Sequence, residues 1–354
     1  MSVLVFILIL GILVVVHELG HFLLAKASGV KVEVFSIGFG PPLAKFKFRT
    51  FDLYISLILW GGYVKLAGFE RQEYQRKPWE FLSKPLGRRA KIILAGPLFN
   101  YLFSWILFCL VFLAGVELPS NRVGKLKPGW PAEKAGIKEQ DIILEVEGKP
   151  TKTWQDITEV IHNTNLKQIE VVVLRNGEKV RFTITPKREE VKDLLGRKRV
   201  FSFIGIYPSQ EVVKLRYTPL RAIIEGSLSL LRFTFLTFKA LFYIVIGALP
   251  FRETLTGPLG IYYITKQAVS WGLSSVLHLM AVLSMSLAIF NILPLPVLDG
   301  GHIFLLGLEK IRRKPLSLKT EEIITKIGIS FIFLLIFFVL YNDIIRFGSK
   351  IFSK

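Results

Sequence analysis

The amino-acid sequence predicts a polytopic α-helical membrane protein with about four transmembrane helices, a membrane-associated β-hairpin or sheet and one inserted extracytoplasmic α/β domain. The chain has 354 residues, of which 51% are hydrophobic, and its mean hydropathy is +0.48. Long apolar runs recur along it, with short β-favouring segments between them. The only cysteine, Cys109, lies inside an apolar run, which excludes an intramolecular disulfide and a thiolate zinc cluster.

Four apolar runs are long enough to cross a bilayer, whose hydrocarbon core requires roughly 20 residues of helix. Three of them contain few or no charged residues. The third run in chain order is apolar except for His278, Asn291 and two prolines, and it leads directly into Asp299. The runs cover about residues 3–25, 92–116, 276–298 and 327–341.

Residues 228–250 form a further apolar run that has two interpretations. Polar side chains in and just before it fall close to one face of the expected helix, which favours a helix lying in the membrane interface. A fifth span is the alternative, because the run is apolar enough to cross. The polar residues are Glu225, Ser229, Arg232 and Lys239.

The distribution of charge predicts the orientation. The connection between the first two spans, from Lys26 to Lys91, is rich in Lys and Arg, and so is the connection before the last span. The positive-inside rule makes both cytoplasmic, so the two termini and residues 117–275 face outside. Since the basic residues flank apolar runs, the net charge of +19 indicates contact with a lipid bilayer and no nucleic-acid partner.

The first cytoplasmic connection also has β-strand patterns. Apolar and polar residues alternate in 30–34 and 46–49, and residues 52–60 are rich in β-favouring types. Glycines and prolines in 38–42 are expected to break the chain between the first two segments, and Gly61-Gly62 to end the third. A small sheet beside the membrane is predicted, with a surface hairpin that has no role as the alternative.

Residues 119–190 have the pattern of a soluble α/β module, with expected strands at 123–126 and 142–146, a helix at 156–163, and a hairpin of 169–174 and 179–185 around Asn176-Gly177. Through the segments 131–137 and 141–150 the stretch resembles a PDZ domain of the bacterial type. That resemblance implies either binding of an extended peptide by strand addition or a role as a steric filter.

The first span contains His17-Glu18-Leu19-Gly20-His21, although a charged group at membrane depth costs roughly 2.5–3.5 kcal/mol. The two histidines are four residues apart, so both imidazoles project from one helical face and can share a metal ion. Glu18 is close enough to act as a base towards a water activated by the metal. Two surface histidines with a capping glutamate are the alternative, which the apolar surroundings disfavour.

A catalytic zinc site needs a third protein ligand, for which Asp299 is the candidate. In the four-span topology the first and third spans run in the same direction, so His17, His21 and Asp299 come to one depth near the cytoplasmic side. With a fifth span the two helices would be antiparallel and the ligands would separate. A helix-terminal aspartate in a glycine turn is the alternative for Asp299.

The segment before Asp299 is expected to be irregular, because Pro294 and Pro296 break a helix and free backbone groups. An irregular segment leaves room for an unfolded substrate, so both prolines and Asn291 are candidate substrate-binding residues. Asn291 can donate a hydrogen bond to the substrate or to a developing oxyanion. An amide that packs between helices is the alternative for Asn291.

These motifs, with Ala95-Gly96-Pro97-Leu98-Phe99-Asn100 in span two and the single PDZ-like stretch, resemble the bacterial site-2 protease family, in the branch that acts as regulator of sigma-E protease. The resemblance covers essentially the whole chain. It implies a zinc metalloendopeptidase with one Zn²⁺ bound by His17, His21 and Asp299, and with Glu18 as the catalytic base.

The same resemblance implies a multi-pass protein of the bacterial inner membrane that performs regulated intramembrane proteolysis. Its expected partners are membrane-spanning protein substrates, such as anti-sigma factors or remnant signal peptides, with a further peptide contact through the PDZ domain. The expected domains are an N-terminal membrane half at 1–116, the PDZ domain at 117–208, an interfacial helix region at 209–275 and a C-terminal membrane half at 276–354.

Two other functions are alternatives. A membrane-bound PDZ scaffold with an inert metal site predicts the loss of at least one of the four site residues, yet all four are present. A metal transporter predicts polar residues across both leaflets, whereas Val3–Val16 offers none.

Overall fold

The protein is described by a computed structural model over residues 2–192, 198–250, 256–314 and 316–352. Two compact units are present. Unit 1 comprises Met1–Val111, Leu220–Leu241 and Pro250–Lys354, and unit 2 comprises Phe112–Pro219 and Phe242–Leu249. The predicted domain boundaries stay predictions, and each predicted domain includes residues outside the described ones, namely 1, 193–197, 251–255, 315 and 353–354.

Long apolar helices dominate unit 1. Among the described residues, five helices are long and apolar enough to cross a membrane, whereas we predicted about four spans. The fifth candidate is the ambiguous run, so the number of spans stays a prediction. The five helices are α1 (Ser2–Ala27), α2 (Leu86–Ala114), α5 (Pro219–Val245), α7 (Leu273–Ile292) and α9 (Leu318–Phe352).

Helix α1 packs antiparallel to α2. The His21 ring nitrogen Nδ1 lies 2.9 Å from the Ile92 carbonyl oxygen, and one turn earlier on α1 the His17 Nδ1 lies 3.4 Å from Asn100 Nδ2. The helices approach so closely that a Cβ atom on Gly20 would lie 2.3 Å from a backbone oxygen of α2. The absence of a side chain at this glycine therefore permits the contact.

Helix α7 also packs antiparallel to α2. The Ser104 hydroxyl donates to the Ala281 carbonyl at 2.7 Å, and the Ser284 hydroxyl donates to the Asn100 carbonyl at 2.8 Å. Since α1 and α7 both oppose α2, they run in the same direction as each other. This is the relation that the four-span topology requires.

Other helices of unit 1 are anchored by polar contacts. Trp105 on α2 donates to the Ser227 hydroxyl on α5 at 2.9 Å. Helix α6 (Pro258–Trp271) begins at a buried carboxylate, because Asp343 on α9 accepts the N–H groups of Gly257 and Gly260 at 3.0 Å each. These two donors lie in the first turn of a helix, where N–H groups have no partner within the helix.

The predicted sheet of unit 1 is present in two long elements, β1 (Val32–Lys47) and β2 (Asp52–Leu66), which pair with each other. The register agrees with the expected break at 38–42, because residues 34–37 pair with 52–55 in the same order, whereas 44–47 pair with 52–55 in the opposite order. The chain therefore reverses direction between these segments, where Gly38 and Gly40 have φ of 97° and 84° that glycine tolerates. Residues 62–66 pair back onto 32–37, so the chain also turns before Gly62, as expected.

Helix α7 ends earlier than its apolar run. The helix stops at Ile292, and residues 293–298 are irregular before α8 (Asp299–Arg312) begins. The predicted break at the prolines is therefore confirmed, although the apolar run that we predicted as a span extends to residue 298, six residues beyond the observed end of the helix.

Unit 2 contains the predicted α/β elements around its own core. Strand β4 (Val123–Leu126), strand β5 (Ile142–Val146) and helix α4 (Trp154–Asn163) follow the sequence closely. Strands β7 (Ile169–Arg175) and β8 (Glu178–Ile184) form the expected hairpin. The PDZ assignment itself stays a prediction. The other elements are β3 (Val116–Pro119), α3 (Pro131–Ala135), β6 (Lys149–Pro150), β9 (Lys187–Lys192), β10 (Lys198–Phe203), β11 (Ile206–Pro208) and β12 (Val212–Leu215).

The start of α4 is fixed by a capping box. The Thr153 hydroxyl accepts the Asp156 N–H at 3.3 Å, and the Asp156 carboxylate accepts the Thr153 N–H at 2.9 Å.

Thr153→Ala tests this cap. Its removal should lower the stability of α4 by about 1 kcal/mol, so α4 amides should exchange with solvent about fivefold faster in the full chain. Thr158→Ala is the control, since its hydroxyl donates within α4. Equal exchange in both variants would contradict the capping role.

Candidate metal centre

Three side chains converge in unit 1 between the ends of α1 and α7. The His17 Nε2 lies 3.1 Å from Asp299 Oδ2 and 3.3 Å from His21 Nε2, and the latter lies 3.5 Å from Asp299 Oδ1. One ligand atom from each residue lies within 4.8 Å of the other two. The structure therefore brings together the three predicted metal ligands, although their role as ligands stays a prediction.

The helix that begins at Asp299 is held against α2. Arg89 on α2 makes two contacts with Glu309 on α8, at 2.7 and 3.3 Å, and the Arg89 side chain is only 8% exposed. At the start of α8, a Cβ atom on Gly300 would lie 2.1 Å from the carbonyl oxygen of Ile292 at the end of α7, and one on Gly301 would lie 2.2 Å from the Leu295 carbonyl oxygen in the irregular segment. These two glycines therefore allow the sharp entry into α8.

A glycine of α2 leaves the space beside the imidazoles. A Cβ atom on Gly96 would lie 2.3 Å from His21 Nε2 and 2.8 Å from His17 Cε1. Gly20 on α1 meets the backbone at Ala95 and Gly96. The pair of glycines thus sets both the helix separation and the room around the ligand atoms.

The donor set fits a zinc ion. Two imidazole nitrogens and a carboxylate oxygen are zinc ligands, and three protein ligands leave the open position of a catalytic site. Asp299 Oδ2 is buried and has no hydrogen bond of acceptable geometry among the described residues, despite its short distance to His17. Burial alone would raise the pKa of the Asp299 carboxyl, yet the neighbouring His17 and His21 lower it to about 2. The carboxyl is therefore ionised at neutral pH.

A cavity of about 350 Å³ opens beside these ligands, and Glu18 lies in its wall. Glu18 is half-buried and lies beside the backbone N–H of Val64 in strand β2. The cavity therefore contains the predicted base together with the predicted ligands. Its other lining residues are Tyr63, Leu66, Phe69, Ile92, Ile93, Asn291, Val297, Leu298 and His302.

The predicted substrate-binding residues lie in different places. Asn291 lines the cavity, with its Nδ2 3.5 Å from His17 Nδ1. Among the described cavity-lining residues, neither Pro294 nor Pro296 is included. Pro294 is exposed, and Pro296 packs against α9, where a Cβ on Gly328 would lie 2.2 Å from the Pro296 side chain. Substrate contact by these three residues stays a prediction.

Sequence reasoning assigned no role to several residues of this site. Asn100 is completely buried beside His17, and the His302 ring packs 5.4 Å from the Phe69 ring at the cavity wall. Val297 has a φ of 79°, which is unfavourable for a β-branched residue. One feature of the sequence points to Asn100, because its amide is a polar group within an apolar span and such groups usually have a function.

Helices able to cross a membrane and a His-His-Asp centre beside a glutamate define the class of membrane metallopeptidases. The chain matches the model of Peptidase family M50 over residues 5–335 and belongs to that family. This confirms the family that the sequence motifs predicted.

Curated relatives cover almost the whole chain. "Probable protease eep" of Enterococcus faecalis is 30% identical, over 98% of this chain and 99% of its own length. "Zinc metalloprotease RasP" of Oceanobacillus iheyensis is 28% identical, over 98% of this chain and 99% of its own. A protein of Rhizobium meliloti, provisionally named a zinc metalloprotease, is 32% identical over 96% of this chain and 95% of its own.

Gly96→Ala tests the space beside the imidazoles. The added methyl group would overlap His21, so we expect zinc content and peptide cleavage both to fall by at least about tenfold, in line with the loss of a well-placed metal site. Gly87→Ala, on the same helix with nothing within 4 Å of the added atom, is the control. Zinc content and cleavage equal in the two variants would show that the glycine does not shape the site.

Proposed function

We propose that the chain is an intramembrane zinc metalloendopeptidase that hydrolyses peptide bonds in or beside the transmembrane segments of other membrane proteins. The observation that carries this proposal is the convergence of His17, His21 and Asp299 beside Glu18, among helices apolar enough to cross a membrane. Membership of a peptidase family supports it independently.

The proposed roles follow from the chemistry of each side chain. His17, His21 and Asp299 would hold one Zn²⁺, which supplies a Lewis acid that makes water nucleophilic near neutral pH. Glu18 faces the same cavity and takes the proton of the attacking water, then returns it to the leaving amine. Asn291, in the cavity wall, donates a hydrogen bond to the carbonyl oxygen of the scissile bond as negative charge develops on it.

The substrate must be unwound before it is cut. The carbonyls of a transmembrane helix are engaged in hydrogen bonds, so a helical substrate offers none for attack. The cavity wall includes Tyr63, Val64 and Leu66 of strand β2. We propose that this strand pairs with the unwound segment and holds it extended next to Glu18.

The geometry and the family disfavour the alternatives. A scaffold with an inert site gives no reason for Glu18 to face the ligand atoms, and the family is one of peptidases. A transporter needs polar positions along its path, whereas α1 has none from Val3 to Val16.

We further propose four spans, with α5 entering the membrane but not crossing it. Residues Gly226 and Ser227 of α5 pack at the C-terminal end of α2. The next helix, α6, contacts the N-terminal end of α1, where the rings of Phe6 and Tyr262 are 5.9 Å apart. Because α1 and α2 are antiparallel, these two ends lie on the same side. The chain therefore returns to the side from which α5 starts.

The proposed orientation rests on the basic connections of the sequence. The segment between α1 and α2 and that between α8 and α9 face the cytoplasm, and the termini and unit 2 lie outside the inner membrane. The metal centre then lies towards the cytoplasmic side, because His17 and His21 are near the C-terminal end of α1.

Glu18→Gln tests the proposed chemistry. The amide cannot accept a proton at neutral pH, so kcat on a single-span model substrate in liposomes should fall by at least about 10²-fold. Zinc content should stay at the parent level, because Glu18 is not a proposed ligand. Glu322→Gln is the control, since this glutamate is exposed and pairs with Lys326 on α9. Retained cleavage by Glu18→Gln would contradict the proposed role of Glu18 as the catalytic base.

Cysteine labelling tests the proposed four spans. In a Cys109→Ala background, Leu220→Cys and Ile246→Cys bracket α5 at exposed positions, and Arg313→Cys marks the connection between α8 and α9. A membrane-impermeant maleimide added to intact spheroplasts should label the first two and not the third. If α5 crosses the membrane, the labels at its two ends would instead lie on opposite sides.

A further inference from the structure

Two asparagine amides lie next to the same nitrogen of His17. The His17 Nδ1 is 3.4 Å from Asn100 Nδ2 on α2 and 3.5 Å from Asn291 Nδ2 on α7. The other ring nitrogen, Nε2, faces Asp299 and His21. His17 would therefore bind a metal through Nε2 and turn Nδ1 towards the two amides.

An imidazole that ligates through Nε2 carries its proton on Nδ1 and needs an acceptor there. An amide nitrogen cannot accept that proton. The amide oxygen of Asn100, however, is buried and has no hydrogen-bond partner among the described residues. A half-turn of the Asn100 amide exchanges its nitrogen and oxygen, which changes the shape of the side chain very little. The unpartnered oxygen then lies where it can accept from His17.

We infer that Asn100 is a positioning residue that accepts the Nδ1–H of His17 and thereby fixes the orientation and tautomer of this imidazole for metal binding. The inference rests on the proposed zinc site. Asn100 is fully buried and lies outside the cavity lining, so it has no access to substrate.

The two amides thereby have separate roles. One Nδ1 proton can be given to one well-aligned acceptor, and the Asn100 amide oxygen is buried, where it cannot find a partner in bulk solvent and has none among the described residues. Asn291 is half-buried and lines the cavity, so its amide stays available to the substrate. This division agrees with the role of Asn291 proposed above and does not require it to hold His17.

Helix α2 provides the same support to the second imidazole. The His21 Nδ1 lies 2.9 Å from the Ile92 carbonyl oxygen, which is an acceptor only. Ile92 and Asn100 are two turns apart on α2, so they face α1 from the same side. The Asn100 backbone is itself held, because its carbonyl accepts the Ser284 hydroxyl at 2.8 Å.

Zinc affinity of the full chain tests the inference without reference to cleavage. The apparent Kd for Zn²⁺ is measured in detergent by competition with a chelating dye. Asn100→Leu removes the acceptor and should raise Kd by about 10–100-fold, the usual effect of losing such a partner. Asn100→Asp keeps an acceptor oxygen and should remain within about threefold of the parent if the acceptor is what matters.

Two further variants complete the design. Ser104→Ala removes another fully buried hydrogen bond of α2, one turn further on, and should leave Kd unchanged. Asn291→Leu should also leave Kd within about threefold, because Asn100 and not Asn291 accepts from His17. This arm does not depend on the folding of the Asn100 variants.

The outcomes separate the inference from the proposed function. Three outcomes would overturn the role of Asn100. The first is a parent-like Kd for Asn100→Leu, and the second is an equal loss of zinc affinity in Asn100→Leu and Asn100→Asp. The third is a loss of zinc affinity in Asn291→Leu as large as that expected for Asn100→Leu. Absence of zinc binding by the parent chain would instead overturn the zinc site on which it rests. Weak binding by Asn100→Leu alone, with parent-like values for the other three variants, is the expected result.

Discussion

Burial of ionisable side chains among apolar helices is the constraint on which the rest of this structure depends. His17, Glu18, His21 and Asp299 lie together where water cannot solvate them freely, and isolated polar groups in such surroundings are costly. A divalent cation bound by two imidazoles and a carboxylate offsets that cost. The proposed zinc ion would therefore stabilise these buried side chains in addition to its role in catalysis.

Helix α2 is the framework of the site although it carries none of the proposed ligands. Gly96 leaves the room for the imidazoles, Ile92 holds His21, and Asn100 is assigned to His17. Through Arg89 the same helix holds the helix that begins at Asp299. Helices α1 and α8, which carry the candidate ligands, are thus both held against one rigid helix. This arrangement fixes the relative positions of ligands that are almost 280 residues apart in the chain.

The convergence of the three candidate ligands could be predicted from the sequence because it follows from local spacing and from burial. His17 and His21 share a helical face by their spacing, and Asp299 follows an apolar run at a helix break. The parallel direction of α1 and α7 follows from counting spans. The role of Asn100 could not be predicted in this way, because it depends on which face of α2 meets α1. The turns of the sheet at 38–42 and before Gly62 could be predicted, because glycines and prolines mark them in the sequence.

Zinc K-edge X-ray absorption of the metal-loaded chain tests the central claim most directly. We predict one zinc per chain, with two imidazole nitrogens at about 2.0–2.1 Å, carboxylate oxygen at about 2.0–2.2 Å and no sulfur scattering. Asp299→Ala should lower the zinc content or remove one oxygen scatterer from the first shell. A first shell with fewer than two imidazoles, or a spectrum unchanged in Asp299→Ala, would contradict the His17–His21–Asp299 centre.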